Sequence, residues 1–226
     1  MDTRGRGTPQ EPGLAAHTTH IARWLSPFFL TCTVYFLLWI PKDPPSPLGA
    51  LVKCLPVLSL AVSLWAVSPS SGYTALLQGA LLCSAVGDIC LIWPDAFLYG
   101  MAAFATAHLL YLAAFSFSPL QPATLLPVAL ACGPYYGLLL PRLPPDMALP
   151  LVAYALLLAT VLWRGLVRGG SAGLGALLFT ISDSVLAWDA FAQPLPHARL
   201  VVMTTYYAAQ ALIALSAVSG LRHKTN

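Results

Sequence analysis

Four ionisable residues interrupt long apolar stretches of this chain: Lys53, Asp88, His108 and Asp183. At the centre of a membrane helix each costs on the order of 2.5–3.5 kcal/mol on insertion scales, so such residues are functional by default. Two carboxylic acids in a low-dielectric setting can divide labour, one holding a proton while the other is ionised. That division suits acid–base hydrolysis, and Asp88 and Asp183 are the candidate catalytic residues. Helical spacing adds a second tier. Ser84 and Asp88 are i and i+4, Phe104, His108 and Tyr111 are i, i+4 and i+7, and Tyr206 and Gln210 are again i and i+4. Lys53, Ser84, His108, Tyr111, Tyr206 and Gln210 are therefore the candidate supporting or substrate-binding residues.

Each supporting residue also has a quieter reading. Lys53 can snorkel or hold a carboxylate as structural glue. A lone buried histidine is often a hydrogen-bonded packing residue, and tyrosines anchor helices at the interface. Asp189 lies nearer a helix end and suits the interface. With a rise of about 1.5 Å per residue, Asp88 and Lys53 lie roughly 8 Å from one end of their spans. Asp183 lies about 13 Å in, and His108 about 16 Å. A polar pocket in one half of the membrane can gather them if their faces meet.

Other chemistries fail on inventory. His17, His20, His197 and His223 fall in tails or loops, which leaves His108 alone within a span. A catalytic zinc usually takes three protein ligands, so no metal is expected. The one GxSxG match, Gly169 to Gly173, falls in the break between two membrane spans and not in a strand-to-helix elbow, and there is no P-loop. The five cysteines all sit in apolar spans without CxxC spacing and read as packing thiols.

The elements that must position these residues follow from composition. Of the 226 residues 58% are hydrophobic and 8% charged, against roughly 25% charged in soluble domains. The chain reads as an all-α polytopic membrane bundle of about eight transmembrane helices, because hydrocarbon leaves no water to pair the backbone. The spans run near 24–40, 48–67, 74–93, 97–117, 120–140, 149–163, 173–192 and 199–219, the sixth being the shortest. Residues 1–23 form a disordered cytoplasmic tail, 24–219 the transmembrane catalytic domain, and 220–226 a cytoplasmic C-terminal tail. The first span exceeds a signal-peptide core and lacks a cleavage site, so it reads as a retained helix. The thin net charge of +3 gives no basic cluster for nucleic acid.

The third and seventh spans resemble each other. GALLCSAVGDICLIWPDAF begins at Gly79 and GALLFTISDSVLAWDAF at Gly175, each with a small residue before an Asp and Asp-Ala-Phe shortly after. Two parallel four-helix repeats would explain the match, and sites in repeated membrane proteins tend to lie between the repeats.

Lys53 with Pro56, the segment from Gly79 through Gly87-Asp88 to Leu91, and Phe97, Gly100, Phe104, His108 and Tyr111 resemble motifs of the lysoplasmalogenase (YhhN-like) family. Phe179, Ser182 and Asp183, then Tyr206, Tyr207 and Gln210, continue the resemblance. It implies hydrolysis of the vinyl ether bond of 1-alkenyl-glycerophosphoethanolamine or -choline to a fatty aldehyde and the glycerophospho-alcohol. It also implies residence in the endoplasmic reticulum membrane, without metal or organic cofactor. A lysophospholipid substrate and membrane lipids are the expected partners, and a second copy could make a homodimer. The chemistry suits the residues: protonating the vinyl ether's β-carbon gives an oxocarbenium ion that a second carboxylate can stabilise. Lys53 would bind the substrate phosphate or hold an Asp ionised. Two other readings use the same residues: a non-catalytic lipid or proton-coupled transporter, and an amide-cleaving lipid hydrolase, which would need a histidine-rich zinc site.

Eight spans place both termini on one side. That side carries Arg4, Arg6, Arg23, Arg164, Arg168, Arg222 and Lys224, and the other only Lys42, Arg142 and Arg199. The asymmetry predicts cytoplasmic termini. Tags at Met1 and Asn226 should both be cytosolic, while a tag between Lys42 and Pro47 should be protected. Termini of opposite accessibility would contradict eight spans.

Overall fold

Proline and glycine set the limits of the helices. A computed structural model describes residues 12–41, 44–67 and 72–225, with side-chain surroundings within 23–218 of these. Its helices are α1 (Pro12–Leu38), α2 (Pro47–Val67), α3 (Gly72–Cys90), α4 (Phe97–Phe115), α5 (Leu125–Leu139), α6 (Pro145–Arg168), α7 (Gly170–Phe191) and α8 (Ala198–Thr225). Pro47 and Pro145 open their helices, where a missing N–H costs nothing. Gly169 (φ 74°) and Gly170 (φ 57°) break the chain between α6 and α7 in a left-handed conformation that favours glycine. Short 3-10 turns at Pro94–Ala96, Pro122–Thr124 and Leu140–Arg142 complete the connections, and no strand occurs among the described residues.

Seven of these helical stretches are long and apolar enough to cross a bilayer, with mean hydropathy of 1.3–1.8, and the apolar part of α1, Arg23–Leu38, is shorter. Large apolar side chains such as Leu37 and Leu149, each 79% exposed, point outward, as lipid-facing helices require. The chain is a multi-pass membrane protein.

Three helices differ from expectation in their bounds. The sixth span, read as 149–163 and the shortest, is α6 with 24 residues. Pro150 lies in its first turns, where little backbone bonding is lost, and Arg164 continues the helix instead of ending it. Arg164 is buried because it donates to the carbonyls of Ser116 (2.6 Å) and Pro119 (2.9 Å), which tie the end of α6 to the segment after α4. α1 begins at Pro12 and α8 runs to Thr225, so helix extends into both segments read as tails. Residues 1–11 of the expected N-terminal tail lie outside the described residues.

Neighbour relations follow one order in each half. α1 packs on α2, α2 on α3 and α3 on α4, and α5 on α6, α6 on α7 and α7 on α8. The halves meet where α4 packs on α6 and α8 on α2, the relation that two parallel four-helix units would give. Phe97 and Phe191, the last residues of the two Asp-Ala-Phe motifs, meet edge to face at 5.6 Å.

The most extensive contact, α7 against α8, depends on a missing side chain. A Cβ on Gly175 would stand 2.6 Å from the Ile213 side chain and 2.9 Å from the Ala209 carbonyl. Between lipid-embedded helices this close approach supplies the van der Waals contact that hydrophobicity cannot. Gly175→Val should therefore cost about 1–3 kcal/mol through overpacking. Gly133→Ala, with nothing within 4 Å, should not destabilise. Thermal unfolding in detergent would compare the two, and equal midpoints would contradict the packing.

Candidate active site

Asp88 enters the apolar interior with its charge already balanced. Its Oδ1 lies 3.3 Å from Lys53 Nζ, and Tyr206 donates its hydroxyl to Oδ2 at 2.7 Å. Lys53 Nζ also donates to the Asp88 carbonyl at 3.4 Å. The pair joins α2 to α3, and the tyrosine brings α8 onto it. Asp88 is 1% exposed, so each partner replaces hydration the carboxylate has lost. Tyr207 donates to the Lys53 carbonyl at 2.7 Å and so holds α2 against α8. Of the two roles expected for Lys53, this geometry engages the ammonium with Asp88.

The residue before each acid is small because something packs on it. A Cβ on Gly87 would meet the Phe104 ring at 2.6 Å. Ser182 is buried and donates to the Val202 carbonyl at 3.0 Å, which joins α7 to α8.

Asp183 has a different environment. Tyr154 of α6 donates to its Oδ2 at 2.5 Å, and no Lys, Arg or His pairs with it among the described residues. Asp88 and Asp183 line the same cavity, of about 370 Å³, with Lys53, Tyr154 and Tyr206 also in its wall. The cavity reaches the α1–α2 and α3–α4 connections at Pro41 and Trp93. Asp189, expected near the interface, also lines it and accepts the Leu195 amide at 2.8 Å, which fixes the α7–α8 connection.

The remaining candidates gather elsewhere. Ser84, His108, Tyr111 and Gln210 are fully buried and none lines the cavity. Tyr111 donates to Gln210 Oε1 at 2.5 Å, linking α4 to α8. His108 Nδ1 pairs with the Phe104 carbonyl at 2.7 Å, so the proton is on Nδ1, and its ring meets Phe179 edge to face at 4.6 Å. Phe104, Phe179 and Tyr206 pack edge to face at 5.5–6.2 Å as an aromatic layer that touches both groups. Tyr206 bonds Asp88 and meets Gln210, and His108 also meets the ring of Tyr154, the partner of Asp183, at 5.4 Å. Two cavity residues escaped sequence reasoning, Tyr154 and Arg199. Tyr154 carried a signal, because it and Thr160 are the polar side chains of residues 149–163.

Among the described residues no three His, Cys, Asp or Glu side chains gather as a metal site would need. A second groove, about 310 Å³ and almost wholly apolar, lies between α4 and α6 and shares Met101 and Tyr154 with the cavity. Polar acids at one end and an apolar groove toward lipid make a site for an amphiphile with one chain.

The YhhN family matches residues 48–217. The chain is 67% identical to lysoplasmalogenase TMEM86B of Sus scrofa and 65% identical to that of Homo sapiens, over the full length of each. It is 41% identical to lysoplasmalogenase TMEM86A of Bos taurus over 86% of this chain and 88% of that protein. No solved structure matches.

The buried pair makes a stability test. Lys53→Met leaves Asp88 without its cation and should cost about 3 kcal/mol, the lower end for breaking a buried pair, because Lys53 keeps some exposure. Lys53→Met with Asp88→Asn should recover most of that loss. Denaturation midpoints in detergent would measure both, and a double variant no more stable than Lys53→Met would contradict the pairing.

Proposed function

The chain belongs to the YhhN family, and from its lysoplasmalogenase relatives and the two acids on one cavity we propose that it hydrolyses the vinyl ether bond of lysoplasmalogens. The observation that carries this reading is the contrast between the acids. Among the described residues Asp88 is paired with a cation and Asp183 is not. Hydrolysis of a vinyl ether needs both kinds of group. A proton moves from an acid to the β-carbon as the carbon–carbon double bond opens, leaving an oxocarbenium ion. Water adds at the oxygen-bearing α-carbon and gives up a proton, and the hemiacetal breaks to a fatty aldehyde and the glycerophospho-alcohol.

Asp183 is the proton donor in this scheme. Tyr154 holds one of its oxygens, and the other can carry the proton to carbon. Asp88, kept as a carboxylate by Lys53 and Tyr206, stabilises the developing cation and then takes the proton of the attacking water. A low-dielectric wall strengthens that attraction, because little solvent competes for the charge. As the hemiacetal collapses, Asp88 passes that proton to the leaving glycerol oxygen, and the hemiacetal hydroxyl gives its own to Asp183, which restores both acids. His108 is a packing residue beneath the aromatic layer, where it supports the ring of Phe179.

The substrate is a lysophospholipid in the membrane. Its single chain lies along the apolar groove between α4 and α6 and its glycerol end beside the acids. We place the protein in the endoplasmic reticulum membrane with residues 24–219 as the catalytic unit. Both termini face the cytoplasm, as the basic asymmetry of the connections favours.

Purified protein should release fatty aldehyde from 1-alkenyl-glycerophosphoethanolamine. Asp88→Asn and Asp183→Asn should each leave it folded yet lower turnover by about 10²–10⁴-fold, the usual worth of a positioned acid or base. The double variant should be little worse than the weaker single one, because the acids act as a unit. Near-normal turnover by either folded variant would return that Asp to a structural role.

A further inference from the structure

Arg199 begins the first turn of α8, at the mouth of the cavity, with its guanidinium held in one place. Its Nε donates to the Tyr35 hydroxyl at 3.2 Å. The guanidinium carbon lies 4.3 Å from the centre of the Trp39 ring and 5.6 Å from that of Tyr35. A cation stacked on two aromatic faces has lost much of its rotamer freedom before any ligand arrives. Nη1 and Nη2 carry the remaining donors, and neither has an acceptor among the described residues. No carboxylate pairs with Arg199 among those residues either, although Asp189 lines the same cavity.

The backbone on both sides is unusual. Trp39 (φ 38°), which supplies the ring, and His197 (φ 57°), two residues before Arg199, both adopt positive φ. Non-glycine residues do so uncommonly, and such strain gathers at ligand clamps. Position along α8 adds direction. Arg199 and Tyr206 are i and i+7, two turns apart on one face and about 10 Å along the axis. Tyr206 holds Asp88, so one helix face runs from an uncommitted guanidinium to the acid site. Lys53, the other cation in the wall, is engaged by Asp88.

We propose that Arg199 is the phosphate subsite of this cavity and takes the phosphodiester of a single-chain glycerophospholipid through Nη1 and Nη2. A planar fork of donors matches two phosphate oxygens, and the aromatic stack fixes its aim. The glycerol backbone then spans the two turns of α8 and delivers its ether end to Asp88 and Asp183. The proposal rests on the lipid-substrate reading and names the residue that orients that substrate.

The test uses purified full-length protein and two saturated ethers that cannot be cleaved, 1-alkyl-glycerophosphoethanolamine and 1-alkylglycerol. Wild-type protein should bind the phosphorylated ether at least about tenfold more tightly, the worth of one hydrogen bond to a charged group. Arg199→Gln should bind the two ethers almost equally, with its 1-alkylglycerol affinity unchanged as the check on folding. Arg199→Lys should restore part of the preference, since a point charge replaces the fork. Millimolar inorganic phosphate should displace little of the phosphorylated ether. A preference kept by Arg199→Gln, its absence from the wild type, or complete displacement by inorganic phosphate would each overturn the subsite. Neither ether is cleaved, so the outcome is independent of hydrolysis. Protein that binds as expected yet releases no aldehyde from the vinyl ether would refute the hydrolase reading and leave the subsite standing.

Discussion

A carboxylate can stay charged inside a membrane helix bundle only if the protein replaces its water. Around Asp88 that replacement comes from three helices, with Lys53 from α2, Asp88 on α3 and Tyr206 from α8. Much of the surrounding packing serves these contacts. Tyr207 bonds the Lys53 carbonyl and fixes α2 against α8, while Gly87 lets Phe104 close over the acid. The α7–α8 approach at Gly175 then carries Asp183 on the helix packed beside Tyr206. Breaking the charge pair would expose an uncompensated ion to an apolar wall, whose cost is several kcal/mol in real proteins.

The second acid gains its use from lacking such a partner. Asp183 receives a hydroxyl from Tyr154 and no cation among the described residues, so the two acids share one cavity without sharing one environment. Dissimilar surroundings are how paired carboxylates take different roles at one pH. Phe104, Phe179 and Tyr206 pack edge to face beside this chemistry, and Tyr206 joins Asp88 to the Gln210 that Tyr111 also bonds. In the buried cluster the Tyr111 hydroxyl links α4 to α8 through Gln210, and His108 Nε2 has no hydrogen-bond partner among the described residues.

Most of the architecture was legible because its signals are local. Prolines, glycines and apolar length place the helices to within a few residues, except in α6 and at the outer ends of α1 and α8. There Pro150 and Arg164 look like boundaries and are absorbed by the helix. Asp88, Asp183 and Lys53 were visible because charge in hydrocarbon is costly wherever it points. Which supporting residues face the cavity was not legible. Depth along a helix says nothing of its rotation, and His108 and Gln210 lie behind the cavity wall and not on it. Tyr154 and Arg199 were missed for complementary reasons. A tyrosine in a span reads as an interfacial anchor, and an arginine at a helix start reads as a topological charge. Only the fold shows the first touching Asp183 and the second stacked on Trp39.

The central claim is that an acid of this cavity delivers a proton to carbon. Running the hydrolysis in D₂O and trapping the aldehyde at once by reduction tests it directly. One deuterium is expected on the carbon next to the trapped aldehyde carbon, the old β-carbon of the vinyl ether. Aldehyde formed without that deuterium would contradict protonation at carbon and, with it, the role given to the acid pair.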